Sequence, residues 1–310
     1  MSHWTVNDIP DLRGRVALVT GANRGLGLET TRALVTHGAH VIMAVRDPNQ
    51  GRLVEAQIKQ MMPDALIEVA SLNLSSLASV REFAARFVQT HARLDMLFNN
   101  AGVMATPRQE TPDGFEMQFG TNHLGHFALT GLLVPKLITT PGSRVVTTTS
   151  NARRTVRGID FDDLQLQHSY SRWGAYGQSK RANLLFAFEL QTRFTAAGVG
   201  TLSVAAHPGG ANTSIPGTNN NLSRFERIFF GLISQSAAMG ALPQLYAATE
   251  EHITGGELIG PGGIANSRGY PKVDSQARSE YDRPAATRLW EVSEQLTGVS
   301  YDALRQRSEA

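Results

Sequence analysis

Cysteine is absent from the 310-residue chain. Disulfides, thiolate metal centres and a cysteine nucleophile are excluded with it, and a reducing compartment is expected. Lysine is almost as scarce: Lys59, Lys136, Lys180 and Lys272 are the only four. A lysine inside a chemical pattern therefore carries more weight than usual. No long block of one charge sign occurs and the net charge is only +2, which argues against a nucleic-acid surface. No stretch approaches the ~20 apolar residues of a membrane span. The N-terminus carries Asp8, Asp11, Arg13 and Arg15 instead of an apolar run, so no signal peptide is read there and a cytosolic protein is expected. Internal repeats and low-complexity linkers are also missing.

What remains is an ordinary globular composition, 41% hydrophobic and 18% charged, long enough to bury a full core. Short β-branched runs at 16–20, 41–45, 66–70, 94–98, 145–149 and 201–205 alternate with helical patterns at 25–37, 50–61, 77–90, 113–139 and 173–197. This alternation predicts an α/β fold, a doubly wound parallel sheet of the Rossmann type. Residues 1–266 are read as one nucleotide-binding catalytic domain. The Gly/Pro/Asn-rich stretch 209–221 is a loop within it, and 267–310 is a C-terminal appendage packed on the same domain, with a helix near 285–296.

Thr20-Gly-Ala-Asn-Arg-Gly-Leu-Gly27 follows the first strand and opens the first helix. Gly21, Gly25 and Gly27 let the backbone turn tightly against a pyrophosphate, and the helix N-terminus supplies free N–H groups. Asn23, Arg24 and Leu26 fill the rest of this turn. The bland alternative is a glycine-rich turn that binds nothing; the strand–turn–helix context favours a nucleotide. An NAD site wants an acid about 20 residues further on, but Val45 and Arg46 stand there. Arg46 and Arg24 suit a 2′-phosphate, so NADP(H) is preferred and NAD(H) is the alternative.

Tyr176 and Lys180 lie four apart in Ala175-Tyr-Gly-Gln-Ser-Lys180, on one face of a predicted helix. A cation beside a phenol favours the phenolate and lowers its pKa from ~10. Alone, the spacing is weak evidence.

Taken together, these residues resemble the short-chain dehydrogenase/reductase family over 13–263. The resemblance rests on the glycine turn, Asn99-Asn-Ala-Gly102, Asn122, Ser150, Tyr176/Lys180 and Pro208-Gly209, in that order. Within the family, the runs at 170–183 and 288–297 are most similar to the retinol-dehydrogenase-like branch. The resemblance implies that Tyr176 is the general acid/base. Lys180 binds the nicotinamide ribose and depresses the phenol, Ser150 hydrogen-bonds the substrate oxygen, and Asn122 holds a water linking Lys180 to solvent. Asn99, Ala101 and Gly102 line the adenosine side and brace the central strand. Asn73, with Leu74 beside it, replaces the family's acid near the adenine. Pro208, Gly209 and Thr213 sit at the nicotinamide end.

The expected activity is NADP(H)-dependent interconversion of an apolar alcohol and its aldehyde or ketone. An apolar lid is expected at 225–233, from Phe229, Phe230, Leu232 and Ile233, although these residues also suit packing on the body or on a second subunit. His123, His126 and His207 are read as structural, with no metal. A homo-oligomer, dimer or tetramer, is expected from the family. The alternative function is an NADP(H)-binding redox sensor, which usually lacks the tyrosine or the lysine.

Overall fold

Strands that are apolar on both faces need helices on both sides, and the chain provides them. The computed structural model describes residues 3–210, 235–263 and 266–308. Six strands follow the expected order: β1 (Val16–Thr20), β2 (His40–Val45), β3 (Ile67–Ser71), β4 (Met96–Asn99), β5 (Arg144–Thr148) and β6 (Leu202–Ala206). Two more complete the sheet, β7 (Leu258–Pro261) and β8 (Pro271–Val273). Their spatial order is β3-β2-β1-β4-β5-β6-β7-β8. All pairings are parallel except β7 with β8. The order reverses between β1 and β4, and a doubly wound sheet opens its binding crevice at that point, beyond the strands' C-terminal ends.

The helices are α1 (Gly25–Thr36), α2 (Pro48–Met61), α3 (Leu77–Thr90), α4 (Met117–Phe119), α5 (Gly125–Ile138), α6 (Arg172–Ala196), α7 (Ala237–Thr249), α8 (Arg283–Thr297) and α9 (Asp302–Ser308). Their starts are chemically marked. Asp47 caps α2, with Pro48 in the first turn; Ser76 caps α3, Ser171 caps α6 and Asp282 caps α8. The sheet divides two apolar cores. One joins Val19, Met43 and Phe98 to Leu34 of α1 and Leu245 of α7. The other joins Leu18, Leu97 and Val145 to Phe83, Phe127, Phe186 and Trp290 from α3, α5, α6 and α8.

Two features differ from the sequence reading. The single helix expected at 113–139 is interrupted: a π turn, Gly120–Leu124, joins α4 to α5. Elements β7, β8 and α7 had no clear signal, because β7 is a four-residue run holding Gly260 and Pro261, and α7 carries Gly240 and Pro243 in its interior. The proposed lid at 225–233 and Thr213 lie outside the described residues.

The C-terminal segment completes the fold. Strand β8 extends the main sheet, and α8 lies against α6. Trp290 is buried beside Phe186, with ring centroids 5.8 Å apart, and under the guanidinium of Arg193 at 4.2 Å. The Trp290→Ala variant is expected to lose about 3–5 kcal/mol of unfolding free energy, measured by urea denaturation. A loss well under 1 kcal/mol would show instead that α8 is loosely attached.

Candidate active site

Parallel pairing places the C-terminal ends of β1 to β6 along one edge of the sheet. The segments that follow those ends hold the described candidate residues outside the helices. Arg46 follows β2, Asn73 and Leu74 follow β3, Ala101 and Gly102 follow β4, Ser150 follows β5, and Pro208 and Gly209 follow β6. The glycine turn joins β1 to α1.

One glycine is sterically required and a second is tightly surrounded. A Cβ on Gly27 would run into the Gly21 carbonyl oxygen and come within 2.7 Å of Asn100 Nδ2. A Cβ on Gly102 would lie 3.1 Å from Asn122 Oδ1 and 3.5 Å from Lys180 Nζ. Gly102 is therefore the junction where the β4 exit, the π turn and α6 meet.

Hydrogen bonds at this junction converge on Thr20. Its hydroxyl accepts from the backbone N–H groups of Asn100 and Ala101, each at 2.9 Å, and lies 2.9 Å from His126 Nε2. Asn100 Nδ2 donates to the Thr20 carbonyl at 2.7 Å. Burial lowers the His126 pKa to about 4, so the ring is neutral. Its Nδ1 faces the Asn122 carbonyl at 3.0 Å and carries the proton, leaving Nε2 as an acceptor. A chain of contacts thus runs from the glycine turn through His126 to the π turn. His123 and His207 are likewise buried, each lowered to about 3 mainly by burial.

Asn122 is held by protein partners. Its Oδ1 accepts from Val103 N (2.8 Å), and its Nδ2 donates to Val103 O (2.9 Å) and Ser179 Oγ (2.9 Å). The amide therefore fixes the β4 exit to α6 one residue before Lys180. Asn99 is turned fully inward and donates to Thr130 and Thr147, so it braces β4 against β5. Asn73 Oδ1 accepts from Ser75 N and Ser75 Oγ, a local turn that leads into α3. Gly209 N donates to His207 Nδ1 at 3.2 Å.

Tyr176 and Lys180 share one face of α6 and both are buried, 7% and 3% exposed. Lys180 Nζ lies 5.8 Å from the Tyr176 ring centroid and donates to the Thr148 carbonyl at 3.1 Å. The Ser150 side chain is near enough to favour the phenolate, its Oγ accepting from Ala152 N at 3.2 Å, and Trp173 meets the phenol ring edge-on at 6.1 Å. Burial pushes Tyr176 up to about 12, against the lowering effect of Ser150. The same burial lowers Lys180 to about 8. Desolvation by the packed junction is the leading cause of both shifts.

The nucleotide end has features that fit a phosphorylated cofactor. The α1 N-terminus has no side-chain cap, so its first N–H groups are open to an anion. Arg24 and Arg46 make no ion pair among the described residues. Partial burial and the like charge of Arg46 lower the Arg24 pKa, which places the two cations close together. An acceptor of high negative charge would relieve their repulsion.

Two contributors escaped the sequence reading. Asn100 was visible in the Asn-Asn doublet, but nothing separated its role from that of Asn99. Arg153 had no local signal. It is fully buried three residues after Ser150 and donates to the Ser150 carbonyl at 3.2 Å. Its guanidinium pairs with Glu280 through contacts of 2.8 and 3.1 Å, with Asp274 at 3.8 Å. The C-terminal segment thereby clamps the loop that carries Ser150.

Comparison with known proteins agrees with this geometry. The model of the family described as short chain dehydrogenase matches residues 15–221. The chain is 38% identical to human retinol dehydrogenase 13 over 304 residues, covering 95% of this chain and 88% of that protein. It is also 38% identical to zebrafish (Danio rerio) polyprenol dehydrogenase over 300 residues, covering 94% and 89%. The chain belongs to the short-chain dehydrogenase family. A crystal structure of an uncharacterised Mycobacterium paratuberculosis protein superposes with a TM-score of 0.79 at 41% identity, covering 97% of this chain and 99% of the other. Like its family, this short-chain dehydrogenase is an NAD(P)-dependent oxidoreductase acting on CH–OH groups. No helix among its described residues is long and apolar enough to cross a membrane.

The buried lysine has a measurable cost. Its pKa is 10.5 when unfolded and about 8 when folded, a difference of 2.5 that corresponds to about 3 kcal/mol. The folded state binds fewer protons between these values. The penalty is therefore fully present below about 8 and fades as pH climbs toward 10.5. Lys180→Met is expected to unfold at higher urea than the wild type at neutral pH, with the gap narrowing across that window. The Thr148 carbonyl keeps its bond from Asn183 Nδ2 in the variant. A methionine variant less stable at neutral pH would contradict the cost assigned to the buried ammonium.

Proposed function

We propose that the chain is an NADP(H)-dependent oxidoreductase that interconverts an apolar alcohol and its aldehyde or ketone, with Tyr176 as general acid/base. The observation that carries this reading is the buried phenol of Tyr176, 5.8 Å from Lys180 Nζ, which in turn donates to Thr148 at the C-terminal end of β5, just before Ser150. When bound, the nicotinamide ring supplies or accepts the hydride. The α1 N-terminus and Arg24 would hold the phosphates, and Arg46 would take the 2′-phosphate.

The protein's own part is to place and charge-balance the reacting oxygen. The hydroxyls of Tyr176 and Ser150 are the two donors proposed for a carbonyl oxygen gaining negative charge. Tyr176 then gives up its proton to that oxygen. A phenol held near 12 is fully protonated at neutral pH, the form that reduction uses. Oxidation must begin from the phenolate, about 5 pKa units away and worth roughly 7 kcal/mol of cationic interaction. Lys180, still mostly protonated at neutral pH when its pKa is about 8, keeps a cation 5.8 Å from the phenol ring centroid. The names of the retinol and polyprenol relatives support a hydrophobic alcohol as substrate.

Tyr176→Phe keeps the ring and removes only the hydroxyl. It is expected to abolish nearly all turnover of retinal and apolar ketones while NADPH binding, followed by fluorescence titration, stays intact. Undiminished turnover would remove Tyr176 from the chemistry. Arg46→Ala is expected to raise the KM for NADPH about 10- to 100-fold, the loss of one charge-assisted contact, and to leave the KM for NADH unchanged. Equal effects on the two cofactors would assign Arg46 to something other than the 2′-phosphate.

A further inference from the structure

The opposite edge of the sheet holds a second cluster, remote from the chemistry above. His40 is the first residue of β2, Glu68 the second residue of β3, and His91 follows the last residue of α3. In the parallel register Glu68 pairs with Ile42, so Glu68 and His40 point to the same face. Their ligand atoms converge: His91 Nε2 lies 3.3 Å and His40 Nε2 3.8 Å from Glu68 Oε2, and all three lie within 4.8 Å of one another. Atoms held about 2.1 Å from a tetrahedral metal lie roughly 3.4 Å apart. The cluster is already close to that spacing.

Hydrogen bonding fixes which nitrogen of His91 faces the carboxylate. The Thr90 hydroxyl donates to the Arg86 carbonyl at 2.9 Å. Its lone pair must then accept from His91 Nδ1, 2.8 Å away. With Nδ1 turned to Thr90, Nε2 is the nitrogen that faces the Glu68 carboxylate oxygen, 3.3 Å away. The ring is held in place by stacking on Phe87, 4.4 Å between centroids and 11° between planes. A proton-accepting partner that fixes the far nitrogen is the usual arrangement behind a metal-bound histidine.

The geometry points to a divalent-metal site formed by His40, Glu68 and His91, with zinc as the fitting ion. Two imidazole nitrogens and one carboxylate oxygen, without sulfur, suit zinc, and the partial exposure of His40 and Glu68 leaves water to complete the shell. The three ligands come from β2, β3 and α3, so the ion would tie the outer edge of the sheet to the helix beside it. Its role would be structural, since the active site lies at the other ends of these strands.

The test uses the untagged full-length chain, stripped with chelator and titrated with zinc chloride by calorimetry at mildly alkaline pH, with thermal unfolding in parallel. One zinc per chain is expected, with a midpoint that rises with zinc concentration. His91→Ala and the near-isosteric Glu68→Gln should each weaken binding at least about tenfold, as loss of a ligand costs no less than loss of its support. Both variants should retain the wild-type midpoint dependence on NADPH. Absence of zinc binding up to millimolar concentration would overturn the site and leave only a proton between His91 and Glu68. Equal zinc binding by the wild type and both variants would overturn it too, by locating the ion elsewhere.

Discussion

The candidate site depends on the burial of one helical turn of α6. Tyr176 and Lys180 are both held out of water there, with Gly102 packed against Asn122 and Lys180 and with Asn122 tying the β4 exit to Ser179. Desolvation acts on both groups in the same sense, favouring their neutral forms. The protein thus keeps an acid and a base whose ionisation responds strongly to any charge brought beside them. In solvent the same pair would titrate near ordinary values and respond weakly, since water screens a nearby charge.

Most of the fold was legible because the alternation of apolar runs and helical patterns is regular through β6. The glycine turn does join β1 to α1 as its context suggested, and the four-residue spacing does put Tyr176 and Lys180 on one face of α6. The illegible parts were those that local pattern does not encode. Strand β7 is short and ends in Pro261, and α7 contains a proline. Strand β8 is three residues long with little burial. The π turn at Gly120–Leu124 looks like uninterrupted helix in sequence, because the extra residue is absorbed without a breaker.

The site's burial was the least legible feature. Spacing alone does not say how much water is excluded around Tyr176 and Lys180, and that depends on segments such as Gly102, Val103 and Asn122 arriving from distant parts of the chain. Asn99 and Asn100 make the same point. They are adjacent and chemically identical, yet one braces the interior between β4 and β5 while the other clamps the glycine turn. Strand alternation sends them to different surroundings.

The pairing of Arg153 with Glu280 spans 127 residues of chain. During synthesis the Ser150 loop is made long before its counter-charge exists, and until residues 274–280 leave the ribosome its guanidinium has neither carboxylate to fold against. The Ser150 loop is consequently anchored only once that later stretch is made, so a chain that stops short of it would carry the glycine turn without a settled loop after β5.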